Sequence, residues 1–576
     1  MSKKKERIIL AVILMIISVN GFWYGHQKSG YHIDEMYSYG LANSNYRPFL
    51  HMGETDDYNV EDFMLEYGTG NNAIHLFKNV WNDIVILSKA KLKFKQTEIY
   101  SSYLKAQKTS NDTLTTTWLD GDYFNRYLTV EKGTGFNIAS VYYNQRGDVH
   151  PPLYYLLLHT ISSFFPNTFS KWFAFSVNFA VLIGALILLY YMLRRYIGSY
   201  LVAYGTVAIY GMSSGFISTL DFFRMYALLT FITVAYCYFF LFMNEKGWKF
   251  SKKNKFVLIF LTIAGFYTQY FFVLYAFSMA LLVGVILIIN KKYKVIWTYL
   301  RQLIYSSVIG LIIWPFCLKH VFGGYQGKHV QAAFLDFASI PEKIKGMCGQ
   351  LSHACLGNQL YMFWILLFMA IGGVILRRIE GKKDMAKYFI LFLPAGMYFI
   401  FTSVAAPFVS DRYIMNIMPF VMIMLVLSVN FWMVRIPGRR QIRTVTGLLV
   451  LFVLFLMTNC YTEKPNYVSD YQQENVKIPQ KTTALYVLGN DVTWPVYTKD
   501  ALLLMKCERV MILFERDLSL LEGTLLSDGG SLMIIMNNVQ NQEAVLDGIE
   551  GYINMESLVQ EDYVYDMEYG ARYLFR

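Results

Sequence analysis

The sequence predicts a polytopic α-helical membrane protein that ends in a small α/β domain. Three observations predict this fold class: 55% of the 576 residues are hydrophobic, only 16% are charged, and the hydrophobic residues collect in runs close to the roughly 20 residues that cross a bilayer. A soluble chain of this length needs more charge on its surface. The net charge of +11 does not indicate nucleic-acid binding, because the Lys and Arg residues stand in short clusters between apolar runs and determine membrane topology there.

The N-terminal segment is the first predicted span. A basic stretch at residues 1–7 and an apolar stretch at residues 8–19 also form the pattern of a signal peptide. No small-residue cleavage site comes before Trp23 and Tyr24, so the segment is predicted to remain in the chain as a helix with an aromatic end.

About eleven segments are predicted to span the membrane. They are residues 8–24, 170–191, 201–220, 222–243, 256–270, 271–290, 303–321, 359–376, 387–405, 413–434 and 444–460. The predicted membrane domain therefore occupies residues 1–460, and the predicted α/β domain occupies residues 461–576.

The apolar stretch from Leu153 to Phe165 decides the direction of every later span. It is short for a span, at about 13 residues, and Pro151 and Pro152 precede it. If it does not cross, all five later basic clusters join the N-terminal lysines in the cytoplasm, as the positive-inside rule requires. These clusters are Arg194–Arg195, Lys246–Lys255, Lys291–Arg301, Arg377–Lys387 and Arg435–Arg443. The stretch is therefore predicted to be a helix in the outer interface.

This topology puts the N-terminus in the cytoplasm and leaves two large segments outside the plasma membrane, a first loop at residues 25–171 and the C-terminal region. An amphipathic helix is predicted in the first loop, either on a lipid surface or packed on the protein. The apolar residues of this helix recur at helical spacing, and polar residues lie on the opposite face. The apolar residues are Ile74, Phe77, Trp81, Ile84 and Val85, the polar residues are Lys78, Asn82 and Asp83, and Lys89, Lys91, Lys93 and Lys95 follow.

The C-terminal region alternates strand-like and helix-like segments, which predicts an α/β domain without a catalytic motif. The strand-like segments are residues 484–488, 509–514 and 531–536, and the helix-like segments are residues 499–505 and 542–553. Of the six cysteines, only Cys348 and Cys355 share a predicted outer loop. The sequence leaves open whether they form a disulfide or remain thiols.

Polar residues gather at one predicted depth, at the outer ends of the spans. They are Asp34, Glu35, Asp148, His150, Asp221, Arg224, Tyr267, Gln269, Tyr270, Lys319, His320, Asp411 and Arg412. Each alone is explained by a solvated loop, an aromatic belt or a membrane anchor. Together they predict a site that holds an anion beside a base. The predicted midplane carries almost no charge, which is unlike an ion-coupled transporter.

The chemistry that these residues suggest is transfer of a group from a membrane-anchored phosphate. A leaving phosphate needs fixed positive charge or a metal, and an acceptor hydroxyl needs a carboxylate to take its proton. Asp34 with Glu35 is the predicted base, and Arg224, Arg412 and Lys319 are the predicted cations.

Several of these segments resemble the GT-C membrane glycosyltransferases, specifically the family 39 group of protein O-mannosyltransferases and the lipid A aminoarabinose transferase. The matching pieces, in chain order, are Asp34-Glu35, residues 148–155 (DVHPPLYY), residues 224–228 (RMYAL), residues 267–271 (YTQYF), and Arg412-Tyr413 with Pro419 following. The resemblance spans residues 31–420, and the HPPLYY piece is its most specific part.

The resemblance implies a GT-C arrangement of the helices and inverting transfer from a polyprenyl-phosphate sugar on the outer face. It implies that Asp34 is the catalytic acid–base residue and that Arg224 and Arg412 hold the lipid phosphate. Lys319 and two tyrosines, Tyr267 and Tyr270, are predicted to join them at the donor. The remaining candidates are predicted to position the substrate: Asp148, His150, Asp221 and Gln269.

Three matters stay open at this stage. Gln269 stands where many relatives have His. Metal dependence varies in the family, so Mg²⁺ or Mn²⁺ bound by Asp34, Glu35 and Asp148 is one alternative. The acceptor is a glycan, a glycolipid or a protein. Two other classes of function are weighed against transfer, a flippase for lipid-linked glycans and a non-catalytic membrane partner, but apolar spans offer a flippase no polar path and a partner has no use for the clustered charges.

Overall fold

The computed structural model describes most of the chain. The described residues are 2–50, 59–69, 80–91, 98–109, 114–322, 332–333, 336–380, 385–435, 437, 440–459, 465–468, 476–523, 530–553, 560–566 and 570–575. Ile74, Phe77, Lys78, Lys93 and Lys95 of the predicted amphipathic helix lie outside them.

Helices dominate the described chain, which confirms the predicted fold class of a polytopic α-helical membrane protein with a small C-terminal sheet. In chain order the α-helices are α1 Lys3–Gln27, α2 Ile33–Asn43, α3 Val60–Tyr67, α4 Val80–Lys91, α5 Glu98–Thr109, α6 Gly121–Leu128, α7 Ile138–Gly147, α8 Leu153–Ser162, α9 Lys171–Tyr196, α10 Tyr200–Gly211, α11 Ser214–Asp221, α12 Tyr226–Glu245, α13 Lys252–Thr268, α14 Phe272–Ile289, α15 Tyr293–Ile313, α16 Cys317–Phe322, α17 Ile340–Leu356, α18 Leu360–Ile379, α19 Ala386–Ala405, α20 Met418–Met433, α21 Arg440–Asn459, α22 Ala501–Leu504 and α23 Gln542–Tyr552.

Eight described helices are long and apolar enough to cross a membrane, and the pair α10 and α11, bent by 55°, makes nine if it is one span. Among the described residues, eight or nine of the eleven predicted spans therefore meet this criterion of length and hydropathy. The two remaining predicted spans coincide with α13, which has 17 residues, and with α21, whose apolar part is Val445–Leu456. Helix α13 ends early because Gln269 adopts an extended backbone, with φ −160° and ψ 133°.

The helix after Pro151 and Pro152 is short, as the sequence predicts. Helix α8 has 10 residues, so it rises about 15 Å, or half of a hydrocarbon core of about 30 Å. A helix of this length cannot cross a bilayer by itself.

Contacts divide the chain into two compact units. The first comprises Met1–Lys28, Val149–Tyr154 and Ala174–Ser469, and the second comprises Ser29–Asp148, Tyr155–Phe173 and Asp470–Arg576. Most of the first loop belongs to the same unit as Asp470–Arg576, and the domain boundary at residue 460 stays a prediction.

A six-stranded sheet explains why the first loop joins the C-terminal region. Its strands are β1 Thr117–Asp120, β2 Thr483–Leu488, β3 Arg509–Phe514, β4 Leu532–Asn537, β5 Gln560–Asp566 and β6 Gly570–Phe575, in the order β1-β3-β2-β4-β6-β5. Strand β2 pairs in parallel with β3 and β4, while β1, from the first loop, pairs antiparallel with β3. The fully buried sequence of β2 is typical of a central parallel strand.

Helix α4 belongs to the second unit, and the face that it buries there differs from the predicted one. Asp83, predicted on the polar face, is buried, and its carboxylate accepts a hydrogen bond from the Thr69 amide at 2.9 Å. Leu87 and Ala90 are buried beside it, whereas Trp81 is 69% exposed. The described part of the helix thus favours packing on the protein, and contact of Trp81 with lipid stays a prediction.

Cys348 and Cys355 are free, buried thiols, so the disulfide alternative is wrong. Both lie on α17, seven residues apart. Two helical turns separate their Cα atoms by about 10 Å, which exceeds the disulfide limit of about 7 Å.

Gly121, where β1 passes into α6, tests the joining of the first loop to the C-terminal region. A Cβ there would overlap the carbonyl oxygen of Cys507 and meet that of Met505 at 3.0 Å. Because these are backbone atoms, Gly121→Ala should reduce the free energy of unfolding by about 1–3 kcal/mol, which thermal unfolding of the purified protein in detergent would detect. Gly551→Ala is the control, since a Cβ there meets open space. Equal melting temperatures for the two variants would contradict the packing.

Candidate functional site

In the first unit, Tyr467 connects three segments that lie at the ends of apolar helices. Its ring stacks on Phe222 with centroids 4.0 Å apart, and its phenol donates a hydrogen bond to Asp411 Oδ1 at 2.8 Å. Its carbonyl oxygen accepts a hydrogen bond from Lys28 Nζ at 2.6 Å. Asn466 donates to the other carboxylate oxygen of Asp411 at 2.9 Å. These contacts hold Tyr467 in the left-handed region, at φ 67°, which is uncommon for such a bulky residue.

Arg224 and His150 form the basic side of this cluster. The Nη2 atom of Arg224 lies 3.3 Å from both ring nitrogens of His150, and Arg224 is only 3% exposed. The short break between α11 and α12 that carries Arg224 begins at Phe222, whose ring stacks on Tyr467. The structure thus brings two predicted residues into contact at a helix break.

Asn178 of α9 fixes that helix break. Its amide donates to the carbonyl oxygens of Leu220 and Phe222 at 3.0 and 2.9 Å, which would otherwise lose partners where the helix stops. Asp221, between these two residues, is fully buried. The amide of a single side chain therefore positions the segment that leads to Arg224.

Lys28 adds a cation that the sequence analysis did not select. It is fully buried at the end of α1, and its ammonium lies 4.9 Å from the centroid of the Phe223 ring. The Lys28 ammonium thus lies against Phe223, and the guanidinium of Arg224 belongs to the next residue in the chain. Positive charge is concentrated in this part of the first unit.

Arg412 occupies a short 3-10 turn after α19. Its guanidinium lies over the rings of Phe408 and Tyr413, 4.7 and 5.4 Å from their centroids. Tyr398 donates a hydrogen bond to the Tyr413 carbonyl at 2.9 Å. Asp411, the preceding residue, is held by Tyr467, so the turn is fixed on both sides of Arg412.

The predicted donor-binding tyrosines make a separate group in the first unit. Tyr270 Oη lies 2.9 Å from His320 Nδ1 and accepts a hydrogen bond from Trp314 Nε1 at 2.8 Å. Tyr267 donates to the Gly310 carbonyl at 2.9 Å. Gln269 Oε1 accepts from its neighbour's amide at 2.7 Å.

These contacts tie the end of α13 to α15 and α16. Lys319, also on α16, is exposed, and among the described residues no hydrogen bond or ion pair joins it to the Tyr467 cluster. The ring of Phe271 lies 5.5 Å from that of Tyr413, which connects this group to the turn of Arg412.

In the second unit, the two residues of the predicted acidic pair, Asp34 and Glu35, have different environments at the start of α2. His32 Nδ1 accepts a hydrogen bond from the Asp34 amide at 3.0 Å, and Glu35 Oε2 accepts one from the His32 amide at 2.7 Å. Glu35 is fully buried and completes this capping box. The Asp34 side chain stays 28% exposed, with a carboxylate oxygen 3.7 Å from His32 Nδ1. Asp34 is therefore the accessible carboxylate, and Glu35 has a structural task.

Asp148 belongs to the same unit as Asp34, and both carboxylates influence Tyr37. Burial raises the pKa of Tyr37, and a hydrogen bond with Thr498 lowers it in part. The negative charges of Asp34 and Asp148 raise the pKa further. Both carboxylates thus act on one phenol, and the approach of Asp148 to Asp34 stays a prediction.

The predicted metal set fits a divalent ion poorly. In the described part of the chain, no three His, Cys, Asp or Glu side chains are grouped so that they could hold a metal ion. Of Asp34, Glu35 and Asp148, the second already accepts the His32 amide. Dependence on Mg²⁺ or Mn²⁺ stays a prediction.

Comparison with known proteins finds similarity at the level of structure. ArnT from Cupriavidus metallidurans, in a crystal structure bound to undecaprenyl phosphate, matches with a TM-score of 0.42, and its apo form with 0.38. Each match has 10% identity and covers 74% of this chain and 87% of that chain. No family model and no curated protein matches the chain.

Four residues of the first unit that make these contacts are not among the residues predicted from the sequence: Lys28, Asn178, Asn466 and Tyr467. Asn178 carried a usable signal, because a polar side chain inside an apolar span is a functional or structural candidate. Lys28 lies just beyond the first span and was read as part of the loop. Asn466 and Tyr467 carried no signal, since their partners lie far away in the chain.

Tyr467 is expected to stabilise the first unit through its hydroxyl and its ring separately. Tyr467→Phe loses the bond to Asp411 and should cost about 1–3 kcal/mol of unfolding free energy, whereas Tyr467→Ala also loses the stacking on Phe222 and should cost more. Thermal unfolding in detergent measures both. Tyr552→Phe is the control, because Tyr552 is 40% exposed.

The same variants should differ in alkaline solution. Burial and then the charge of Asp411 raise the pKa of Tyr467 well above its usual value. The unfolded chain therefore loses the phenolic proton above about pH 10 while the folded chain keeps it, so this stability is complete below that pH and declines above it. The decline should be smaller in Tyr467→Phe than in wild type, and identical declines would contradict the burial of the phenol.

Proposed function

We propose that the chain is a membrane glycosyltransferase that takes its sugar from a polyprenyl-phosphate donor. The observation that carries the proposal is the set of basic groups at the ends of helices apolar enough to lie in a bilayer. Lys28 binds Tyr467, and the pair of Arg224 and His150 follows Phe222, whose ring stacks on Tyr467. A lipid phosphate has the matching form, a charged head on an apolar tail. Charged hydrogen bonds from guanidinium groups are the strongest available for such a head.

In this proposal Arg224 and Arg412 hold the lipid phosphate and Lys28 adds to its field. As the bond between the sugar and the phosphate breaks, the phosphate takes the electron pair and gains negative charge. Fixed cations stabilise that charge without reorganisation, which lowers the barrier. Tyr467 positions both basic segments, through Phe222 beside Arg224 and through Asp411 beside Arg412.

Asp34 is the proposed base. Its carboxylate is partly exposed and lies in the first turn of α2. The acceptor hydroxyl gives its proton to Asp34, and its oxygen forms a bond to the anomeric carbon from the side opposite the phosphate. One displacement of this kind inverts the anomeric configuration. The transfer is proposed to occur on the outer face of the cell membrane, with the N-terminus in the cytoplasm.

Asp34→Asn is the direct test of the base. The amide keeps the size of the side chain but cannot take a proton, so transfer should fall by about a hundredfold or more while the protein level in membranes stays normal. Transfer is measured in membranes, together with mass spectrometry of the polyprenyl-phosphate sugars, which should accumulate and would identify the donor. Asp122→Asn is the control, since Asp122 is 61% exposed on α6. Wild-type transfer by Asp34→Asn would exclude Asp34 as base.

Arg412 separates phosphate binding from membrane anchoring. Arg412→Ala should raise the KM for the donor by about tenfold, and Arg412→Lys by less, because lysine keeps the charge but loses the two-pronged hydrogen bond. Steady-state kinetics against donor concentration give both values. Arg435→Ala is the control, since Arg435 forms an ion pair with Glu380, with 2.7 Å between Nη2 and Oε1, and is not part of the Tyr467 cluster. Equal donor KM values in all variants would mean that Arg412 only anchors the turn.

A further inference from the structure

The sheet of the second unit has a switch point at the centre of its parallel part. Strand β2 lies between β3 and β4 and is parallel to both. The chain leaves β2 toward β3 and then crosses to β4 on the other side. In open sheets of this kind, ligands bind outside the carboxyl ends of the strands, at the point where the connections diverge.

The residues that follow these strands form a connected polar surface. Asn490, after β2, donates a hydrogen bond to Glu515 Oε1 at 2.8 Å and accepts one from the Arg516 amide at 3.3 Å. Gly489 donates from its amide to the Asn537 carbonyl at 2.9 Å. A Cβ on Gly489 would overlap the backbone of Asn538, so only glycine lets the ends of β2 and β4 approach this closely.

Trp494 lies four residues after Asn490, in the loop that follows β2. Its side chain is 50% exposed. The same loop thus carries a half-exposed indole and the Asn490 amide that binds the Glu515 carboxylate, and the Arg516 guanidinium lies over the Phe514 ring, 4.4 Å from its centroid. A sugar requires both kinds of group, since its C–H face packs on an aromatic ring and its hydroxyls donate and accept hydrogen bonds.

The same loop is attached to the helix that carries Asp34. Tyr37, one turn after Asp34 on α2, donates a hydrogen bond to the Pro495 carbonyl at 3.5 Å. Tyr497 donates to the Leu50 carbonyl, just beyond α2, at 3.2 Å. Trp494 is the residue before Pro495, so the aromatic surface and the accessible carboxylate belong to one contiguous part of the second unit.

We propose that the surface formed by Trp494, Asn490, Glu515 and Arg516 binds the glycan chain of the acceptor and presents its hydroxyl to Asp34. The inference rests on the proposed function and gives it an acceptor class. A peptide acceptor fits this surface less well. Peptides bind sheets by adding a strand at an edge, whereas this surface lies at the ends of central strands.

Binding is tested on the full chain in detergent by titration calorimetry. The probes are linear tetraoses of glucose, mannose, galactose and N-acetylglucosamine. At least one tetraose should bind the wild type, and Trp494→Ala should raise its Kd by about tenfold. Trp494→Phe should restore most of the affinity, because it keeps an aromatic face. Asn490→Ala should weaken binding by a smaller factor, and Leu520→Ala, which changes a leucine 58% exposed in the same unit, should leave the Kd unchanged.

Three outcomes overturn the inference: no tetraose binds the wild type, Trp494→Ala binds with the wild-type Kd, or random tetrapeptides bind in a Trp494-dependent way while tetraoses do not. The kinetic readout separates this from the proposed function. With a transferable acceptor, Trp494→Ala should raise the acceptor KM by about tenfold with little change in kcat. Trp494-dependent binding of a tetraose without any transfer from lipid-linked sugars would sink the proposed function and leave the glycan site standing. Transfer with an unchanged acceptor KM would do the reverse.

Discussion

The cost of placing charge among apolar helices governs the arrangement of the first unit. Buried polar groups in such surroundings need partners, and the backbone offers them where helices stop. Arg224 follows the break after α11, Arg412 lies in the turn after α19, and Lys28 ends α1. Tyr467 holds these three places together with one ring, one hydroxyl and one carbonyl oxygen. The basic cluster exists because the helices end there, and it is stable because Tyr467 closes it.

The sequence predicted the residues whose energetics are local. Arg224 and Asp411 were found because charges at the ends of apolar runs are costly and therefore informative. Tyr467 could not be found in this way, since its hydrogen bond to Lys28 joins residues 439 positions apart. Strand β1 was missed for the same reason, because four residues become a strand only when they pair with β3 of the C-terminal region. Asp83 was misread, since helical periodicity does not reveal the buried partner that Thr69 provides.

Backbone geometry also limits what hydropathy can predict. An apolar run predicted a span through residue 270, but the helix stops where Gln269 turns to an extended conformation and its side chain binds the next amide. Glu35 shows a related limit. Two adjacent carboxylates look equivalent in the sequence. In the structure, Glu35 accepts the His32 amide in the cap of α2, whereas Asp34 remains accessible.

The sheet that contains β1 constrains how the chain is threaded through the bilayer. A strand at Thr117–Asp120 and strands after Thr483 can pair only on the same side, so the chain crosses an even number of times between them. Between β1 and β2, the described helices that are long and apolar enough to cross number eight if the bent pair counts as one crossing, and eight is even. They are α9, α10 with α11, α12, α14, α15, α18, α19 and Met415–Met433. The predicted spans, with α13 and α21 added, keep the same parity. Any rearrangement of this topology must therefore gain or lose crossings in pairs.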